Sequence, residues 1–190
     1  QVVESQVPGA QLFAAGREVE VEAVDGGVLL LTADGVLWPL PKEEIVKRRS
    51  DERPFVPLSR DALTKQLTAE LKGFRIHKTR HYLIAYNTSP AYAEWVGSLF
   101  ERLHSAFYTY WTRKGAVLHE PQFPLVAHVF GSKESYALYS RAELGDATSS
   151  IIGYYSLKSN RMTMYVLTGV EEFAGGGERT AARQKQVLSQ

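Results

Sequence analysis

The strongest constraint on the fold is a long helical repeat of apolar residues near the middle of the chain. Aromatic and aliphatic side chains recur there at three- and four-residue spacing, at Tyr92, Trp95, Val96, Leu99, Phe100, Leu103, Phe107, Tyr110 and Trp111. This spacing places them on one face of an α-helix. Ser89 followed by Pro90 predicts where the helix begins, and Gly115 predicts where it ends. The tyrosines of this helix fit its apolar face, so we expect most of them to belong to the core or its rim.

Short apolar segments around this helix predict a mixed sheet. His81–Tyr86 is apolar or aromatic on both faces, which is typical of a central strand that is covered on both sides. Phe74–His77 and Leu125–Phe130 predict two further strands. Two more helices are expected, one beginning at the N-cap Ser59 and one over Ser132–Leu144. This part of the chain is therefore predicted to be α+β, with about five strands and about three helices.

The first 50 residues show a different pattern. In Arg17–Val24 apolar and acidic residues alternate, as they do in a half-buried strand. Asp25-Gly26-Gly27 and Asp34-Gly35 then predict turns into the strands Val28–Thr32 and Val36–Leu40. These strands predict a small, SH3-like β-meander. Because about 30 residues bury too little surface for an independent core, we expect the meander to pack on the α+β part of the chain.

The patterns divide the chain into four parts. Residues 1–50 are predicted to be a small β-rich accessory module, and residues 51–73 a linker and a helix. Residues 74–170 form the α+β part. Residues 171–190, which contain Gly175-Gly176-Gly177, are expected to be a flexible or partly helical tail.

Composition excludes several classes of function. The 190 residues include 22 basic and 21 acidic side chains, a formal net charge of +1, which provides no broad field for a nucleic-acid partner. The chain has no cysteine, so disulfides, thiolate metal sites and cysteine nucleophiles are absent from it. No apolar run approaches the ~18 residues of a membrane-spanning helix. We expect no nucleic-acid partner and no transmembrane segment, and the sequence assigns no oligomeric state.

No complete catalytic or metal-ligating motif is present. His119-Glu120 is followed by Pro121 and by no second histidine at helical spacing, so it is interpreted as a loop rather than as an HExxH zinc motif. His104 is expected on the surface of the long helix, and His128 is expected as a hydrogen-bonded core residue. Gly131-Ser132 lacks the second glycine of a nucleophile elbow. The predicted catalytic and metal-binding residues of this chain are therefore none.

A β-hairpin is predicted within Gly153–Gly169. Its strands are Tyr154–Leu157 and Arg161–Leu167, and the turn formers Ser159 and Asn160 join them. At the edge of a mixed sheet, such a hairpin can line a cleft and pair with an extended ligand.

Four segments together resemble a bacterial domain family of unknown function that is grouped with the gluzincin, or peptidase-MA-like, zinc metallopeptidases. They are FRIHKTRHYLIAYNTS, AYAEWVGSLFERLHSAFYTYW, PQFPLVAHVF and GYYSLKSNRMTMYVLTG, within Phe74–Gly169. The resemblance implies that the mixed sheet precedes an active-site helix bearing HExxH, with a downstream glutamate as third zinc ligand. It also implies a cleft bordered by an edge strand, at the position of Arg161–Leu167, and a secreted or cell-envelope location.

The sequence departs from the family at the decisive place, because no HExxH occurs in it. The chain alone is therefore not expected to be an enzyme, and zinc is expected only in a longer parent protein. There it would polarise a carbonyl and activate water. The parent's substrate is expected to be a peptide or protein.

Three residues are candidates for binding that substrate: Asn160, Arg161 and Tyr165. The backbone of Arg161–Tyr165 would pair with an extended chain. Turn formation, surface charge and sheet packing are the ordinary explanations for these residues one by one. The alternative function is a non-enzymatic module that binds a protein or cell-envelope partner.

Overall fold

A computed structural model describes residues 2–5, 16–19, 28–49 and 55–166 of the protein. Part of the predicted strand Arg17–Val24, the last residue of the predicted strand Arg161–Leu167 and the predicted tail 171–190 lie outside these residues. The α+β class is confirmed, since a five-strand mixed sheet with three helices forms the larger part of the described chain.

The strands are β1 (Val2–Ser5), β2 (Gly16–Val19), β3 (Val28–Thr32), β4 (Leu37–Leu40), β5 (Ile45–Arg49), β6 (Arg75–Lys78), β7 (Tyr82–Tyr86), β8 (Leu125–Phe130), β9 (Gly153–Ser156) and β10 (Arg161–Tyr165). The α-helices are α1 (Arg60–Glu70), α2 (Pro90–Arg113) and α3 (Lys133–Leu144). Short 3-10 helices cover Lys42–Glu44 and Gly145–Ser149.

The predicted helix starts are confirmed by their capping geometry. The side-chain oxygens of Ser59, Ser89 and Ser132 each accept a hydrogen bond, at 3.2 Å, from the backbone N–H three residues later. Each serine thereby satisfies one of the backbone donors that a helix leaves unpaired in its first turn. Gly115 adopts the left-handed conformation, with φ of 84°, immediately after α2. None of the described helices combines the length and apolar character needed to cross a membrane.

The larger sheet has the strand order β6-β7-β8-β10-β9. The three inner strands run parallel, and each outer strand is antiparallel to its neighbour. The predicted hairpin is present, but only one of its strands, β9, is at the edge of the sheet, and the other, β10, is an inner strand. The prediction that Arg161–Leu167 is an edge strand is wrong, because β10 pairs with β8 on one side and with β9 on the other. The edge strand is β9.

Both faces of the sheet are covered by helices. On one face, Ile84 of β7 and Val129 of β8 pack with Val96 and Phe100 of α2. On the other face, apolar residues of the same two strands pack on the buried leucines of α1, in a cluster formed by Leu63, Leu67, Leu83 and Val126. Helix α3 contacts β8 and β10. As predicted for a central strand, β7 is inaccessible at its middle residues.

Only the first half of α2 lies against the sheet. Its buried residues end at Phe100, and in the second half Phe107 is 51% exposed and Tyr110 is 55% exposed. Of the tyrosines of this helix, Tyr92 and Tyr108 are half-buried, as expected of rim residues, whereas Tyr110 is exposed. The periodic pattern predicts an apolar face correctly, but it does not specify how much of that face is covered.

The N-terminal strands form a three-strand antiparallel sheet, β2-β3-β4, and a separate antiparallel pair, β1-β5. As expected, this β-rich part contacts the rest of the chain, through the turn between β3 and β4. The Leu58 N–H donates to the Ala33 carbonyl at 2.7 Å, and Asp34 Oδ2 accepts a hydrogen bond at 2.8 Å from Gln66 Nε2 of α1. Gly35 lies against the Phe123 ring, so the turn between β3 and β4 also contacts the loop that precedes β8.

A group of polar side chains is buried beneath α3. His128 of β8 is inaccessible, as predicted for a core residue. The predicted hydrogen bond is not found, because neither ring nitrogen has a partner among the described residues. The ring instead meets Tyr139 of α3 edge to face, at 5.5 Å between centroids. Arg161 is 6% exposed and donates to Glu70 of α1 at 2.8 Å. Burial, together with the Arg161 charge, lowers the pKa of His128 to about 3.

We predict that His128 makes the protein sensitive to mild acid. In the unfolded chain the histidine binds a proton near its ordinary pKa of 6.5, but in the folded chain it does not until about pH 3. The free energy of unfolding should therefore fall by up to about 1.4 kcal/mol per pH unit below pH 6.5. His128→Leu should abolish this slope and be neutral or stabilising at pH 7, because it removes two unpaired polar atoms. Urea unfolding between about pH 4 and 7 measures both effects, and an unchanged slope in the variant would contradict the prediction.

Candidate functional site

The loop between β6 and β7 is held from one side by Arg60, the first residue of α1. The guanidinium donates to the carbonyl oxygens of Thr79 at 2.7 Å, Tyr82 at 3.0 Å and Arg80 at 3.2 Å. Three hydrogen bonds from one charged group fix the backbone of this loop against the start of α1. The loop carries His81, so these bonds also fix the position of that residue.

Glu101 of α2 holds the same loop from the other side. Its Oε1 accepts from the Thr79 hydroxyl at 2.5 Å and from the His81 backbone N–H at 2.7 Å, while Oε2 lies 2.6 Å from His81 Nδ1. Desolvation by burial acts to raise the pKa of Glu101, but the hydrogen bonds from Thr79 and His81 outweigh it and lower the pKa to about 2. An ionised carboxylate can only accept, so His81 Nδ1 carries the proton.

His104 lies one helical turn after Glu101, in a stack of three rings. Its imidazole is nearly parallel to that of His81, with centroids 3.9 Å apart, and stacks on Tyr108 at 4.5 Å. Its Nε2 is buried and has no hydrogen-bond partner among the described residues. Burial is the largest cause that lowers the pKa of His104, and the neighbouring His81 ring lowers it further. His104 is half-buried on α2, so its surface placement is confirmed in part, although Nε2 itself is covered.

The loop before β8 brings Glu120 to the two histidines. The prediction that His119-Glu120 lies in a loop is confirmed, and the Tyr108 hydroxyl holds that loop by donating to the His119 carbonyl at 2.8 Å. One ligand atom each from His81, His104 and Glu120 lie within 4.8 Å of one another. Sequence reasoning missed this group because its members come from two loops and a helix, so no fixed spacing relates them.

A cavity of about 400 Å³ opens beside this group. Its wall includes Arg60, Arg80, His81, Glu120 and Phe123. Arg80 and Glu120 are exposed, and neither side chain has a hydrogen-bond or ion-pair partner in the part of the chain that the structure describes. The cavity therefore presents an imidazole, a carboxylate and a guanidinium to a ligand.

The residues predicted to bind substrate lie elsewhere, in the hairpin. Asn160 occupies its turn with φ of 55° and accepts a hydrogen bond from the Tyr155 hydroxyl. Arg161 is buried in its ion pair with Glu70. Tyr165 is half-buried and packs on Tyr136 of α3, with ring centroids 5.1 Å apart. Each thus has a structural role, and their part in substrate binding stays a prediction.

In comparisons with known proteins, no family model, curated protein or solved structure matches the chain.

We predict that the site depends on the close approach of α2 to the β6–β7 loop. A Cβ at Gly97 would lie 2.8 Å from Thr79 Cγ2 and 3.0 Å from the His77 ring. Gly97→Ala gains about 1 kcal/mol of helix propensity, but overpacking costs about 1–3 kcal/mol. It should therefore lower the free energy of unfolding and disturb the bond between Thr79 and Glu101. Chemical denaturation measures the loss, and Ser98→Ala at the exposed neighbouring position is the control. Equal or higher stability of Gly97→Ala would contradict this packing.

Proposed function

We propose that this chain is the N-terminal, non-catalytic part of a gluzincin-like zinc metallopeptidase, in which it supplies the scaffold and the edge strand of the substrate cleft. The observation that carries the proposal is the position of β9, which is antiparallel to its neighbour and lies at the end of the sheet. The family resemblance calls for an edge strand beside the cleft. Because β9 is the outer strand, we assign this role to β9 rather than to Arg161–Leu167.

The chemistry of β9 suits an extended peptide. Its outer edge has no backbone partner among the described residues, so an added strand could pair with it through main-chain hydrogen bonds. Apolar side chains surround this edge: Ile152 and Tyr155 are each 51% exposed, and Leu157 is 78% exposed. Exposed sheet edges usually carry charges that prevent pairing. An apolar edge is better suited to receiving a strand.

The hairpin is also held in place, as a cleft wall requires. The Leu37 N–H donates to the Lys158 carbonyl at 2.6 Å, and the Lys158 ammonium lies 4.5 Å from the centre of the Trp38 ring. Strand β4 thus contacts the turn of the hairpin directly. We assign the SH3-like module of residues 1–50 the role of a brace that fixes the orientation of β9.

The zinc of the proposed parent protein is not held by the group of His81, His104 and Glu120. The family's ligands include two histidines one turn apart on a single helix, whereas these three residues come from two loops and α2. In the parent, zinc would activate the attacking water. The contribution of this chain would be to bind and orient the substrate backbone along β9.

A second candidate function, a module that binds another protein, is favoured by the uncovered half of α2. Leu103, Phe107, Tyr110 and Trp111 are 59%, 51%, 55% and 43% exposed and recur at helical spacing. They form a continuous apolar face of the kind that marks a docking surface. A further segment of the parent protein or a separate partner could cover this face.

We predict that Tyr155→Lys in the natural protein containing this chain will lower kcat/KM for casein by about tenfold, the equivalent of about 1.4 kcal/mol. The substitution removes an apolar contact and places a charge on the edge that receives the substrate. The matched control is Leu138→Lys, since Leu138 is 77% exposed on α3. Zinc content is measured on the same samples. An equal loss in the control would refute the role of β9, and a metal-free, inactive natural protein would refute the peptidase proposal in favour of the binding module.

A further inference from the structure

The geometry points to a transition-metal site, of the class that takes Zn²⁺, formed by His81, His104 and Glu120 with Glu101 as a positioning residue. The site is independent of the proposed peptidase function, because none of its residues lies in the hairpin or on the β9 edge. Its three ligands come from the β6–β7 loop, from α2 and from the loop before β8.

His81 is oriented as a metal ligand. Its Nδ1–H donates to the Glu101 carboxylate at 2.6 Å, which leaves the lone pair of Nε2 available. Metal-binding histidines in proteins commonly donate their other ring N–H to a carboxylate, which fixes the tautomer and raises the basicity of the ligating nitrogen. The Arg60 and Glu101 hydrogen bonds hold the His81 loop from both sides, so the ring is positioned before a metal arrives.

His104 supplies the independent observation. Its Nε2 is buried without a hydrogen-bond partner in the described chain, and buried polar atoms of native proteins nearly always have one. A stacked pair of histidines with no metal would explain the contact between Glu101 and His81. A metal-free stack would leave His104 Nε2 without a hydrogen-bond partner among the described residues and would not explain why the Glu120 carboxylate lies near both rings. A bound cation accounts for both residues.

The donor set is typical of zinc. Two neutral imidazoles and one carboxylate bind Zn²⁺ in sites that keep a fourth position for water or another small ligand. His81 and Glu120 line the cavity of about 400 Å³, so the fourth position would open into it. The exposed Arg80 on the same wall would favour an anionic ligand there.

Metal binding requires a defined rearrangement. Ligand atoms about 2.0–2.1 Å from a tetrahedral zinc ion lie about 3.4 Å apart, whereas these atoms lie within 4.8 Å of one another. The histidine rings are nearly parallel, at 15°, so their in-plane lone pairs cannot meet at one ion until one ring turns. Binding should therefore break the stack of His81, His104 and Tyr108, and Glu120 should move inward with its exposed loop.

The test is titration of the full chain with Zn²⁺ by calorimetry and with Co²⁺ by visible absorption. We expect one ion per chain and, for Co²⁺, the intense d–d bands of a four-coordinate site. Glu120→Gln, in an exposed loop, should weaken Zn²⁺ binding at least tenfold without affecting folding. Glu101→Gln should weaken it by about 10–100-fold, the effect of losing the carboxylate that orients a metal-bound histidine. His119→Ala is the matched control, because it changes the histidine next to Glu120 but leaves the three ligands intact.

A second readout separates a metal site from a structural cluster. Saturating Zn²⁺ should shift the imidazole NMR signals of His81 and His104 and the ring signals of Tyr108, and it should raise the melting temperature of the wild type but not that of Glu120→Gln. The inference is overturned if the wild type binds no Zn²⁺ at concentrations up to about 1 mM, the weak end of specific affinities. It is equally overturned if Glu120→Gln binds Zn²⁺ as tightly as the wild type and the His119→Ala control do.

Discussion

The structure depends on the burial of β7 and β8 on both faces. Leu83, Ile84, Ala127 and Val129 in these strands have no accessible surface, and fully burying a Val, Leu or Ile side chain contributes about 1.5–3 kcal/mol. Parallel strands at the centre of a sheet need helices on both sides. The fold meets this need with α2 on one face and with α1 and α3 on the other. The positions of the loops, and so of every candidate site, result from this arrangement.

The histidine group forms where two loops enter these central strands. The β6–β7 loop and the loop before β8 both precede parallel strands, so they lie at the same end of the sheet. Arg60 of α1 and Glu101 of α2 approach this end from opposite faces and hold the first loop between them. The helices that cover the core therefore also position His81. His104 joins the group because it lies one turn after Glu101 on the same face of α2.

The hairpin shows why a predicted strand pair does not by itself identify the edge strand of the sheet. Its sequence predicts that two strands pair through a turn at Ser159 and Asn160, and they do. It contains no local signal for which strand also pairs with β8. The path of the chain after α3 decides the pairing. The chain first forms β9 as the outer strand and then turns back, so that β10 lies between β9 and β8 and runs parallel to β8. The edge of the sheet is consequently one strand further out than predicted.

Local patterns in the sequence determined the elements of this protein. Serine caps and apolar periodicity predict α1, α2 and α3, Gly115 predicts the end of α2, and apolar runs predict β7 and β8. These signals act within a few residues of the chain. Only the tertiary structure decided which half of α2 is covered and which hairpin strand is the edge. It also decided that Glu120 meets His81 and His104. Those outcomes depend on contacts between residues far apart in sequence, and such contacts produce no local pattern from which they could be predicted.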